Sequence, residues 1–186
     1  MFKLKLISCF VLLTTTIVIA QLPSSKIDSL QQEVAHAKNN SAKVDKLLAL
    51  ASITNDFKNI NLIATKALNL ASTLNYSKGK ASAYNTLADA YWYHSDYDKA
   101  QQNYFKAYKI NETINDQSGI ALSLYNIGWI YCVQQHNYMQ SGYLFKSLRI
   151  YETLKDTLGL IRVYNGIGTY YSKRNNNNKT IYLEPV

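Results

Sequence analysis

The sequence predicts an all-α fold: antiparallel helix pairs stacked into a solenoid, preceded by an N-terminal signal helix. Three observations carry this expectation. Only two Pro and seven Gly occur in 186 residues, too few breakers for a turn-rich β fold. An apolar share of 47% beside 17% charged residues is globular chemistry, neither disordered nor polytopic membrane. Above all, the same residue types return every 40 positions, the mark of a repeat array.

Residues 1–20 form the first element. Met1 to Lys5 carries two lysines, Leu6 to Ala20 is uncharged and mostly apolar, and Val18-Ile19-Ala20 ends the run just before Gln21. A basic start, an apolar run and a small-residue exit make a secretory signal. The run of about 15 residues is shorter than the roughly 20 that a spanning helix needs. The expected mature protein begins at Gln21 and is exported, periplasmic or secreted. Membrane contact is expected only through this segment, if it stays uncleaved. Leu6-Ile7-Ser8-Cys9 looks like a lipoprotein box, but the apolar run follows the cysteine instead of preceding it. Cleavage removes Cys9 and leaves Cys132 alone, so no internal disulfide is expected. Removing Lys3 and Lys5 also lowers the formal charge from +8 to +6. The remaining lysines are dispersed among Asp and Glu. That is a solvated surface, not the basic stripe of a nucleic-acid binder.

Residues 21–40 are expected to form an N-terminal capping helix. Ile27, Leu30, Val34 and Ala37 share one side, which would close the open end of a stack. The array then occupies 41–184, in units of about 41–76, 77–116, 117–156 and 157–184. In the first unit Val44, Leu47, Leu48 and Ala51 form a helical stripe. Asp56-Phe57 stands one period before Asp96-Tyr97, and Ala67 one period before Ala107. The first helix of this unit reads as about one residue short.

The middle units repeat most clearly. Glycine recurs at 79, 119 and 159, a small residue at 88, 128 and 168, and tyrosine at 91, 131 and 171. Leu87, Ala88 and Tyr91 fall on one helical face. The small residue admits a neighbouring helix and the tyrosine fills the space beside it. A second helix follows, with Tyr97, Ala100, Tyr104, Ala107 and Ile110 at spacings of three and four, then Tyr138, Ser141, Phe145, Leu148 and Ile150 in the next unit. The loop of that next unit reads as one residue longer near His136, and its second helix as one residue shorter. Asp96 and Asn137 stand where a short polar side chain caps a helix. Asn115-Asp116 and Lys155-Asp156 precede the next unit, and Gly119 and Gly159 are expected to permit tight contact between units. In the last unit Asn175 to Asn178 reads as a loop. Lys179 to Leu183 reads as the start of a second helix, so the unit is expected to be incomplete and the chain a truncated product or shortened relative.

Asn85-Thr86-Leu87-Ala88 to Tyr91, Tyr97-Asp98-Lys99-Ala100, and then Tyr104 and Ala107 resemble the tetratricopeptide repeat in a 40-residue form. The second copy is similar at Asn126-Ile127-Gly128 to Tyr131. It departs at Ser141, and the family's usual proline after the second helix is absent. The resemblance covers 41–184 and is specific between 79 and 172. It implies a right-handed solenoid whose first helices line a concave groove for a protein or peptide. The implied groove positions are Asn85, Asp89, Trp92 and Tyr93, then Tyr125, Asn126, Trp129 and Val133, then Asn165, Thr169 and Lys173. Asparagine can bond both peptide N–H and C=O, and aromatic rings give contact area at low entropic cost.

No catalytic constellation accompanies these positions. His36, His94 and His136 are the only histidines, and the last two fall beside turns. There is no glycine-rich phosphate loop, nucleophile elbow or paired metal motif. The sequence therefore predicts a non-enzymatic scaffold with no cofactor and no metal. Its expected partner is a protein or peptide rather than nucleic acid. The alternative expectation is a truncated input region, because long-form exported arrays resemble the N-terminal sensor regions of bacterial membrane-bound histidine kinases.

Overall fold

A computed structural model describes residues 26–134 and 137–181, the side chains of residues 133, 137–140 and 173–181 excepted. The expected signal segment 1–20 lies outside the described residues. Helix α1 spans 26–36. It is followed by α2 (Ser41–Ile53), α3 (Phe57–Thr73), α4 (Ser77–Tyr93), α5 (Tyr97–Thr113), α6 (Gln117–Val133), α7 (Asn137–Leu154) and α8 (Thr157–Ile181). Linkers of two to four residues reverse the chain at once, so successive helices run antiparallel. Each packs on its neighbours in sequence, and the first helices also touch, α2 on α4 and α6 on α8. Among the described residues no helix is long and apolar enough to cross a membrane.

The turns repeat every 20 residues, twice as often as the side-chain motif. Asn75, Ser95, Asn115 and Lys155 adopt φ of 52°, 62°, 54° and 54°. The residue after each donates its N–H back across the turn: Tyr76 to Ala71 O at 2.8 Å, Asp96 to Tyr91 O at 2.9 Å, Asp116 to Asn111 O at 3.0 Å, Asp156 to Tyr151 O at 3.1 Å. That bond satisfies a carbonyl the helix end leaves open. Three of those same residues then cap the next helix. Asp96, Asp116 and Asp156 accept from the N–H of Lys99, Gly119 and Gly159 at 3.0 to 3.2 Å. One short turn thus ends a helix and starts the next. Lys155 carries its side chain into a left-handed conformation that glycine adopts freely. Lys155→Gly is expected to raise stability by about 0.5–1 kcal/mol and Lys155→Val to lower it; thermal melts of the two variants read the difference.

The helix bounds correct three local expectations. The α6–α7 linker is three residues long like the α4–α5 linker one period earlier, and α7, with 18 residues, is longer than α5, not shorter. Asn137 is therefore the first residue of α7 and stands one period after Tyr97, not after Asp96. The apolar pattern tolerates a one-residue slip, so it does not fix where a helix begins. Helix α2 has 13 residues against 17 in α4, a whole turn short, because Asn40 caps it by accepting from Lys43 N at 3.1 Å. The asparagine run lies inside α8, which continues unbroken through Asn175–Asn178. Asparagine disfavours helix by only about 0.7 kcal/mol or less per residue, and no left-handed residue interrupts α8 as Ser95 does two periods earlier.

The core is built between units as much as within them. Val44, Leu47, Ala67, Ala71 and Ala83 join α2, α3 and α4, with Val34 of α1 packed against them. Ala88, Ala100, Tyr104, Ile127 and Ile130 join α4, α5 and α6. Ala121, Tyr151 and Val163 join α6, α7 and α8. No single helix pair encloses its own core, which is how a solenoid holds together. Gly119 and Gly159 mark where a helix start meets the preceding helix. A Cβ at Gly119 would overlap the Asn111 side chain, and one at Gly159 the Tyr151 ring. Asn111 is itself buried and donates to Ser123 Oγ at 3.3 Å. Cys132 is a free, buried helix residue.

Candidate functional site

The eleven groove positions implied by the resemblance fall on three first helices. Helix α4 carries Asn85, Asp89, Trp92 and Tyr93, α6 carries Tyr125, Asn126, Trp129 and Val133, and α8 carries Asn165, Thr169 and Lys173. The side chains of Val133 and Lys173 lie outside the described residues. Three of the others serve the packing. Trp92 lies against the Ala88–Ala100–Ile127 cluster, and its indole N–H is buried without a hydrogen-bond partner. Tyr125 lies along Gly166 of α8, where a Cβ would sit 3.2 Å from its ring, and it stacks on Trp129 at 6.3 Å and 23°. The remaining positions are more open. Tyr93 is 78% exposed and meets Trp92 edge-on at 4.8 Å. Asn165 is exposed and Asn126 half-buried. Thr169 donates to Asn165 O at 2.9 Å. Asn85 is half-buried, and its Oδ1 has no partner.

Asp89 is the electrostatic centre of this surface. It is open to the groove yet enclosed by neighbouring groups, and that desolvation pushes its carboxyl pKa above the usual carboxylate value. Two features act the other way. Tyr104 Oη donates to Asp89 Oδ1 at 2.5 Å, and the Arg162 charge on α8 favours the ionised form. Tyr104 is 5% exposed. Burial, followed by the adjacent carboxylate, drives its hydroxyl far above the ordinary tyrosine value, so it stays a neutral donor. The Arg162 charge also acts on Tyr125 and Tyr151. One acid, one cation and three tyrosines from five successive helices thus share a neighbourhood. Sequence reasoning found Asp89 but treated Tyr104 as packing alone and passed over Arg162. A signal for Arg162 existed: it is the one charged residue between Asp156 and Lys173.

Asp89 also lines a cleft of about 530 Å³ between the end of α2, the start of α3 and α4. Ser52, Thr54, Asn55, Thr86 and Tyr93 contribute polar or aromatic edges, and Ala51, Ile60 and Ala90 an apolar floor. His94, also on the cleft, stacks on Phe57 at 4.2 Å and 13°. Among the described residues no cluster of three metal-ligating side chains occurs.

The raised Asp89 pKa sets a pH dependence. The folded state binds the proton more tightly than the unfolded chain. The resulting stabilisation is complete below the unfolded carboxylate value of 3.8 and is lost as pH rises through the raised folded value. At pH near 7 the partly desolvated charge is a net cost. Asp89→Asn keeps an acceptor for Tyr104. It is expected to be at least as stable as the parent at neutral pH, with the advantage vanishing below about pH 4. Urea titrations at the two pH values measure it.

Compared by sequence, the chain matches no protein-family model and no curated protein. Its structure is similar to several solved helical-repeat proteins. The apo form of RapI superposes with a TM-score of 0.73 at 17% identity, covering 90% of this chain and 64% of RapI. BtubC (BKLC) from P. vanneervenii gives a TM-score of 0.68 at 21% identity, over 82% of this chain and 64% of BtubC. A kinesin light chain from Podosopora anserina with nearly identical TPR-like repeats gives 0.59 at 13% identity, over 90% of this chain and 89% of that one. The chain thus spans just under two thirds of the length of RapI and BtubC. At these identities the likeness speaks for the fold alone: the chain is a TPR-like solenoid of antiparallel helix pairs.

Proposed function

We propose that the chain is an exported scaffold that binds a protein or peptide in the groove of its first helices. The observation that carries this reading is unused hydrogen-bonding capacity beside exposed aromatic surface. Asp89 and Asn165 are exposed polar residues of these helices, and Asp89 stands next to Tyr93, which is 78% exposed. Catalysis and cofactors have no place in this reading. Export rests on residues 1–20, and a mature N-terminus at Gln21, read by mass spectrometry of the purified protein, is the expected result. Quantitative pull-down from an envelope extract with wild type, Trp129→Ala and Tyr93→Ala tests the groove. Both variants are expected to lose partners that wild type retains; equal capture by all three would count against it.

A second reading, the input region of a larger membrane signalling protein, draws on α8. Ile161 and Tyr164 are 53% and 55% exposed, whereas Ala121 and Leu124, one period earlier, are 0% and 4% exposed. A further helix docked on this face would extend the stack by the same packing. Reading the gene downstream for a continuing repeat and a hydrophobic segment decides it; only unrelated sequence there removes the idea.

A further inference from the structure

The cleft beside Asp89 is rich in hydrogen-bond acceptors. Three aliphatic hydroxyls line it, and each donates its proton to a carbonyl of α2 or α4. Ser52 Oγ donates to Ala49 O at 2.8 Å, Thr54 Oγ1 to Leu50 O at 2.8 Å, and Thr86 Oγ1 to Ser82 O at 3.1 Å. With the proton so engaged, each oxygen offers the cleft only lone pairs. Asp89 adds a carboxylate. Its Oδ1 is held by Tyr104, and among the described residues no hydrogen bond reaches Oδ2. Arg162 acts on Asp89 through space and forms no ion pair with it. The cleft therefore presents these acceptors and a carboxylate above the apolar floor of Ala51, Ile60 and Ala90, beside the Asn55 amide and the His94 ring, which can also donate. At its edge the exposed ring of Tyr93 offers a π face.

A ligand complementary to this lining needs an apolar stem, a positive head and several donors. A guanidinium has five N–H donors in a planar fork, pairs with carboxylates, and stacks on aromatic rings. A volume of about 530 Å³ lies within the range of pockets that enclose a ligand group. We propose that this cleft anchors the groove's ligand by taking up the side chain of an arginine in a bound peptide segment. The guanidinium meets Asp89 Oδ2 and the hydroxyl oxygens, its stem lies on the alanines and Ile60, and Tyr93 covers it. This inference rests on the groove reading and adds to it the chemistry of one ligand position.

The test is selection of a random 12-residue peptide display library on the purified full chain, on Asp89→Asn and on Tyr93→Ala. Each variant is first checked for a wild-type circular dichroism spectrum. Wild type is expected to enrich arginine at one position of the selected peptides. Asp89→Asn is expected to lose that enrichment, and Tyr93→Ala to weaken it. In solution, replacing the selected arginine with norleucine should weaken binding to wild type by roughly ten- to a hundredfold and leave binding to Asp89→Asn nearly unchanged. Peptides selected without a basic preference, or an arginine preference that survives Asp89→Asn, would overturn the anchor while leaving the groove reading intact. Enrichment of no peptide on any of the three would overturn both. Because Tyr93 is an exposed side chain, its variant keeps the test decisive should Asp89→Asn fold poorly.

Discussion

Ile127→Ala is expected to cost about 2–5 kcal/mol, a large loss for a single truncation. Ile127 is fully buried in the cluster it forms with Ala88, Ala100, Tyr104 and Ile130. Those residues come from α4, α5 and α6, so the cavity opens at the seam between two helix pairs, not inside one. Its small neighbours cannot expand to fill the space, which favours the upper part of the range. A domain of this size has about 5–15 kcal/mol in total, so the loss is a large share. The stack is coupled mainly between nearest neighbours, so the variant is also expected to melt less cooperatively, parting at the α5–α6 seam. Guanidinium titrations followed by the fluorescence of Trp92 and Trp129, on opposite sides of that seam, should show separated midpoints. Leu62→Ala, at a position 53% exposed, is the control and should change stability by about 0.5 kcal/mol or less. Equal effects at the two positions would contradict the seam.

The second large effect is a reversal of sign between two glycines. Both lie in helices, where Ala is favoured over Gly by about 1 kcal/mol. At Gly142 an added Cβ meets nothing within 4 Å, so Gly142→Ala is expected to stabilise by about 0.5–1 kcal/mol. At Gly159 the same methyl would overlap the ring of Tyr151, which is 2% exposed and held in the α6–α7–α8 cluster. Overpacking of this kind costs about 1–3 kcal/mol and outweighs the propensity gain. Gly159→Ala is therefore expected to destabilise. Melting temperatures of the two variants against wild type give the comparison; a rise in both would show that Tyr151 moves aside freely.

The difference between those glycines was partly legible in the sequence. Gly159 recurs with Gly79 and Gly119 at the 40-residue period, and Gly142 stands outside it. The helices, their pairing and the small residues at 88 and 128 were legible for the same reason: packing needs recur wherever geometry recurs. The turns were less so. Asn75, Ser95, Asn115 and Lys155 share a backbone conformation but no common side chain. What repeats there is a hydrogen-bonding closure. The continuous α8 had no signature either, because a run of asparagines permits both loop and helix. At the site, family geometry reached Asp89 and Tyr93. It could not separate groove from packing at Trp92 and Tyr125, since an aromatic ring at helical spacing serves either purpose. The Asp89–Tyr104 bond and the influence of Arg162 join residues far apart in sequence, and neither pattern nor period encodes such a meeting.

The central claim, that the first-helix groove is the binding surface, is tested most directly by site-specific photo-crosslinking in the envelope. A photoreactive phenylalanine analogue replaces Tyr93 in one variant and Leu62, an exposed residue of the second helix α3, in another. The groove account predicts a defined crosslinked partner from position 93 and none from position 62. Crosslinks from position 62 alone, or equal products from both, would contradict it.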